Sequence, residues 1–297
     1  MDELKIGMIG LDTSHVVAFT KLLNRPENEY HVPGGRVVVA FPGGSPDMEL
    51  SHSRVKGFTE QMRDKFSVEI VDSPKAVAEK CDAILLESVD GRVHLEQFRE
   101  IASYGKPVFI DKPFAISSND ALEMVQLAKR YRTPLMSASA LRCAENLTNT
   151  LAKLEGKDIL GADTYGPLAL EEHHGLFWYG IHTAEMLFRI LGKGCKQVTV
   201  IKNDDYDLII GEWKDGRMGS LRGNRKGNTT FGTAIHHQKG IEFANVAGKP
   251  YYASLLETIM PFFQTGKADI PIDETVEIVR FLEAANESRR TGETVEL

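Results

Sequence analysis

The sequence predicts an α/β chain of two domains. Residues 1–117 form a parallel sheet layered with helices, and residues 118–297 an α+β half on a mainly antiparallel sheet. Three observations carry this reading. Short β-branched runs alternate with helix-like stretches through the first half, the pattern of parallel strands joined by crossovers. Past residue 195 the pattern changes to short apolar runs separated by Asp-, Gly- and Asn-rich turns, the pattern of a meander. The 297 residues are long for one core and sufficient for two.

Taken in order, residues 5–11 read as a buried strand. Residues 14–23 read as a helix carrying Val16, Val17, Phe19, Leu22 and Leu23. Residues 37–41 and 68–71 are the next strands, and Ser73-Pro74 marks a helix start with proline in its first turn. Residues 83–86 and 107–110 are two more strands, and between them a helix over 94–104 ends at Gly105. Ser117 with Asp120 three residues on is a capping-box-like pair that opens an amphipathic helix, and residues 135–139 form a further strand. In the second half, strands are expected over 197–201, 208–213, 218–222 and 240–246, and helices over 252–264 and 274–290 close the chain.

The bulk numbers exclude several classes of partner. A net charge of −7 with no long basic run argues against nucleic acid, whose phosphates need clustered Lys and Arg. The apolar run of residues 6–11 is too short for a signal peptide or a membrane span, so no membrane partner is expected. Cys81, Cys143 and Cys195 lie far apart with no paired spacing, which suggests a reducing compartment and a cytoplasmic location.

Four segments in register then resemble the Gfo/Idh/MocA oxidoreductase family. Lys5-Ile6-Gly7-Met8-Ile9-Gly10 is a strand entering a glycine turn. Phe109-Ile110-Asp111-Lys112-Pro113 is similar to the family's Glu-Lys-Pro signature, with Asp for Glu. Tyr179-Gly180-Ile181-His182 is similar to its Gly-x-His at a helix start, and residues 262–267 with 283–292 resemble its ending. The resemblance implies a Rossmann-like first domain and a second domain with an open sheet that often forms a homo-oligomer interface. It also implies NAD or NADP as cofactor and hydride transfer to or from a sugar- or polyol-like small molecule.

The sequence departs from that pattern at three places. A dinucleotide loop reads G-x-G-x-x-G/A, but here only Gly10 of Gly10-Leu11-Asp12-Thr13-Ser14-His15 is kept. A carboxylate at Asp12 facing a pyrophosphate at ~4 Å would cost on the order of 4 kcal/mol. Asp12 is therefore expected to turn away and cap the Thr13–Ser14 helix start, leaving Thr13, Ser14 and His15 to donate. No acid follows the second strand at the position for the ribose, so Asp47 would have to reach in from its loop, and Arg54 is the nearest arginine. Finally, Trp178 stands where family members carry Asp four residues before the histidine, with Glu185 one turn beyond His182.

The expected site follows. Lys112 and His182 are the catalytic pair, with His182 as general base. Gly10, Leu11, Asp12, Thr13, Ser14, His15, Ser88, His94, Asp111 and Lys112 contact the cofactor, and His174, Trp178 and Tyr179 the substrate. No metal is expected. Two other classes stay open: a non-redox sugar or nucleotide sensor, and a metal-assisted lyase, isomerase or hydrolase on Glu171, Glu172, His173, His174, His182 and Glu185.

Overall fold

The computed structural model describes residues 3–227 and 229–297. It has two compact units that interleave in sequence. The first holds residues 1–115, 119–138 and 252–272, and the second residues 116–118, 139–251 and 273–297. The sequence suggests one cut after residue 117. The structure instead returns two later stretches to the first unit, residues 119–138, whose strand at 135–137 hydrogen-bonds to the preceding strand of the first sheet, and residues 252–272.

The first unit runs β1 (Leu4–Ile9), α1 (His15–Asn24), β2 (Gly35–Phe41), α2 (Glu49–Phe66), β3 (Glu69–Ile70), α3 (Pro74–Lys80), β4 (Ala83–Leu86), α4 (His94–Ile101), β5 (Val108–Ile110), α5 (Ser118–Tyr131) and β6 (Leu135–Ser137). Its six strands are parallel in the order β3-β2-β1-β4-β5-β6. The order reverses at β1 and β4, which is where open α/β sheets bind ligands at the carboxyl ends of their strands. β4 and β5 are buried along their whole length, as strands covered on both faces must be. Ser73 caps α3 by accepting from the Ala76 amide at 3.2 Å, and Gly105 stops the turn after α4 at φ +65°.

The second unit adds α6 (Glu145–Lys153), β7 (Ile159–Pro167), α7 (Gly180–Leu191), β8 (Cys195–Lys202), β9 (Tyr206–Trp213), β10 (Met218–Asn224), β11 (Gly232–His237) and β12 (Gly240–Asn245). α8 (Tyr251–Thr265) follows and lies almost wholly in the first unit, and α9 (Ile272–Thr291) and β13 (Val295–Glu296) end the chain. The seven-stranded sheet has the order β12-β11-β7-β10-β9-β8-β13 and is antiparallel except for the β7–β10 pair. One face packs on α7, and Phe188, Trp213 and Phe281 meet there with ring centroids 5.5 Å apart. Among the described residues, no helix is long and apolar enough to cross a membrane.

Candidate functional site

In the first unit the site is built at the carboxyl ends of β1, β4 and β5. After β1 the chain turns at Gly10, whose φ is +88°. A Cβ there would fall inside contact distance of the Ser88 backbone, so only glycine lets the β1 turn lie against the end of β4. The Gly10 and Leu11 amides donate to Phe41 O at 2.9 Å and Pro42 O at 2.7 Å, which closes the turn onto β2.

Asp12 turns away from this loop as expected, but it does not cap α1. Its carboxylate is fully buried, accepting from Ser51 Oγ at 2.6 Å and from the Val89 amide at 2.9 Å. Burial pushes its pKa up, and those two hydrogen bonds offset part of the rise. The helix start is left to Thr13, whose Oγ1 accepts from the His15 amide at 3.4 Å, and to Ser14, which is exposed and makes no side-chain cap bond. Leu11 is fully buried.

His15 at the start of α1, Glu87 after β4 and Asp111 after β5 converge. His15 Nδ1 lies 2.7 Å from Asp111 Oδ2 and 3.9 Å from Glu87 Oε2, and Lys112 Nζ lies 4.0 Å from Asp111 Oδ2. The His15 ring also packs on Phe19 and Tyr252. Burial pushes Asp111 up, but His15 and Lys112 outweigh it and bring its carboxyl down to about 2. Burial and the charge of Asp111 push Glu87 well above the usual carboxylate range, with Lys112 offsetting only part. Lys112 is only 7% exposed, so it is no surface lysine.

Two residues expected at the cofactor are occupied elsewhere. Both ring nitrogens of the fully buried His94 face carbonyls, Phe114 O at 3.1 Å and Ser88 O at 2.8 Å, so its imidazole ties α4 to the loops after β4 and β5. Ser88 donates to Gln97 at 2.9 Å. Asp47 does not reach inward: 61% exposed, it pairs with Arg92, which also holds buried Asp90.

In the second unit a row of rings runs His174, Trp178, Tyr179, His182 and Phe231, with centroids 5.6–6.5 Å apart. His182 Nδ1 lies 2.6 Å from Ser139 Oγ, and Ser139 also accepts from the Leu141 amide. Among the described residues, Ser139 is thus a side chain bonded to the His182 ring, and Trp178 only packs near it through Tyr179. No local signal marks the serine in the sequence, because 43 residues separate it from His182. His174 Nδ1 is 2.5 Å from Glu171 Oε2. Burial pushes Glu171 up, but His174 and the amides of His173 and His174 hold it below the usual range.

Glu185 does not support His182. It is buried and bound to Arg142 at 3.2 Å, with Glu274 on the other side of the guanidinium. Burial pushes its pKa up to about 7 against the pull of Arg142. The carboxylates and histidines that cluster in sequence at 171–185 are thus divided among separate partners, and the described metal-ligand residues that converge are His15, Glu87 and Asp111.

The profile of the family described as "Oxidoreductase family, NAD-binding Rossmann fold", Gfo/Idh/MocA, matches residues 5–139. That segment belongs to the Gfo/Idh/MocA family. No curated protein matches the chain. Solved structures with the same fold include myo-inositol 2-dehydrogenase from Lactobacillus plantarum, 14% identical with a TM-score of 0.79 and all of both chains covered. A probable dehydrogenase from Thermotoga maritima is 17% identical with a TM-score of 0.79 over 99% of this chain and 98% of its own. An oxidoreductase from Agrobacterium radiobacter, solved with NAD+, L-tartaric acid and magnesium, is 17% identical with a TM-score of 0.77 over 99% and 98%. The Gfo/Idh/MocA segment contains the whole glycine turn, Glu87, Asp111 and Lys112, and its residues fit the family's cofactor. The acid that opposes a pyrophosphate is buried in hydrogen bonds, and the first turn of α1 keeps backbone N–H groups not capped by Ser14.

Proposed function

We propose that this chain is an NAD(P)-dependent oxidoreductase acting on a sugar- or polyol-like small molecule. The observation that carries the reading is the inward turn of Asp12. With its carboxylate held by Ser51 and Val89, Asp12 leaves the start of α1 free to offer the positive end of a helix dipole to a dinucleotide. Gly10, Thr13, Ser14, Asp111 and Lys112 are the residues that would hold it.

NAD(P), when bound, exchanges a hydride with the substrate carbon. The protein supplies the proton chemistry. His182 takes the substrate hydroxyl proton at Nε2 in the tautomer whose Nδ1–H is donated to Ser139 Oγ. Lys112 supplies a buried positive charge that orients the substrate hydroxyl and favours its alkoxide-like form. Trp178, Tyr179 and Phe231 offer apolar ring faces of the kind that stack on sugar carbons. The open face of the seven-stranded sheet carries a homo-oligomer contact.

The deciding experiment titrates the purified protein with NADH and NADPH, followed by nicotinamide fluorescence and thermal shift. Saturable micromolar binding is expected. Turnover in a polyol screen should then be abolished by Lys112→Ala and by His182→Ala, with both variants still folded. No binding at millimolar nucleotide to a folded protein would remove the redox reading and leave a sugar or nucleotide sensor.

A further inference from the structure

We infer that His15, Glu87 and Asp111 form a site for one divalent first-row transition-metal ion. The inference goes beyond the dinucleotide reading and stands on different observations. Glu87 and Asp111 directly follow the adjacent strands β4 and β5, and His15 is the first residue of α1, reached from β1 through the Gly10 turn, so neighbouring strands and the start of a helix fix their spacing. One ligand atom from each, an imidazole nitrogen and two carboxylate oxygens, lies within 4.8 Å of the others. Bonds of about 2.0–2.2 Å put neighbouring ligand atoms roughly 3–3.5 Å apart in tetrahedral or octahedral geometry. The separations of 2.7 Å and 3.9 Å from His15 Nδ1 bracket that range, so side-chain torsions alone can close the site.

The second observation is Glu87 itself. Its side chain is fully buried, and neither oxygen accepts a hydrogen bond among the described residues. A carboxyl group removed from water with no hydrogen-bond partner is unfavourable in either protonation state. His15 Nδ1 lies 3.9 Å from Glu87 Oε2, beyond hydrogen-bond reach, whereas a cation among the three groups would bond the oxygen directly. The donor set selects the ion. One imidazole with two carboxylates suits zinc or manganese, and magnesium favours oxygen alone. Three protein ligands leave a coordination position open. The Lys112 ammonium, 4.0 Å from Asp111, opposes a second cation and so weakens its binding.

The test uses the full chain, dialysed against a chelator and kept free of nucleotide. Calorimetric titration with Zn2+ and with Mn2+ should show one equivalent per chain at micromolar Kd. Glu87→Gln and Asp111→Asn should each weaken it at least tenfold, with magnesium binding far more weakly than either. As a readout that needs no variant, Mn2+ should broaden the amide resonances of residues 11–16, 87–89 and 111–112 in the wild-type protein. Absence of binding at several hundred micromolar metal, undiminished binding in folded Glu87→Gln protein, or broadening centred elsewhere would each overturn the site. NADH binding is read separately, so failure of the metal site and failure of the dinucleotide reading are distinguishable.

Discussion

Single residues decide how the first unit can meet a ligand, and Gly10 is the most constrained. Its φ of +88° lies where a side chain is strained, and a Cβ would also press on the backbone of Ser88, which has no rotamer to move aside. Gly10→Ala should therefore destabilise the protein by about 3 kcal/mol or more, the positive-φ strain and the clash together. Urea denaturation checks this, and a change under about 1 kcal/mol would mean that β1 does not turn against β4 as described. The need for Gly10 is legible in the sequence because a glycine ending a buried strand has few other reasons. The destination of Asp12 is not: its partners Ser51 and Val89 lie 39 and 77 residues away. The role of His94 escapes the sequence for a similar reason, since a histidine at a strand end and one bridging two carbonyls look alike there.

At the scale of the element, the packing of α7 against the 3-10 turn at Ala140–Cys143, and the arginine that turn shares with α9, set a pH dependence. Arg142 from that turn lies between Glu185 of α7 and Glu274 of α9. Burial pushes Glu185 up to about 7, from an ordinary value of 4.5. The folded state therefore binds more protons than the unfolded state between those two values. The cost of ionising Glu185 is absent below about pH 4.5 and fully present above about pH 7, so stability falls as pH rises through that window. Each tenfold difference in proton affinity is worth about 1.4 kcal/mol. Glu185→Gln, which cannot ionise, should lose this slope. Wild type and variant, compared by chemical denaturation at pH 5 and pH 7.5, should diverge by on the order of 2–3 kcal/mol in favour of the variant at the higher pH. Parallel pH profiles would show that Glu185 stays ionised throughout. Helices with apolar positions at helical spacing such as α5 and α9 are visible from periodicity, whereas α7 is anticipated only through the resemblance of its Gly-x-His start. α2 is not, since Ser51 and Met62 are its only fully buried side chains and the rest of its 18 residues are polar or half-exposed.

At the scale of the molecule, the parallel sheet can be read almost strand by strand because its strands are continuous apolar runs. The second sheet can be read only in part. β7 is masked by Gly161, Gly166 and Pro167, and its parallel pairing with β10 joins segments that no local spacing connects. What the register adds is the face to which each residue belongs. Thr199, Ile210, Ser220, Asp163, Ala234 and Phe243 pair directly across the sheet, so their side chains share the face opposite buried Leu221 and Ile209. Two residues along each strand, Ile201, Met218 and Ile241 join that face, and they are 62%, 59% and 48% exposed, with Phe243 at 72%. Single exposed apolar residues are ordinary, but four spread over one sheet face among Asp163, Tyr165 and Arg222 match the mixed composition of a subunit contact. If copies of the chain associate through this face, Phe243→Asp should convert the oligomer to monomer in light scattering coupled to size exclusion, because a carboxylate would be buried without a partner. The fold should be untouched, since Phe243 packs little within its own chain. A wild-type protein that is monomeric at tens of micromolar, or a variant with unchanged mass, would exclude this face as the contact.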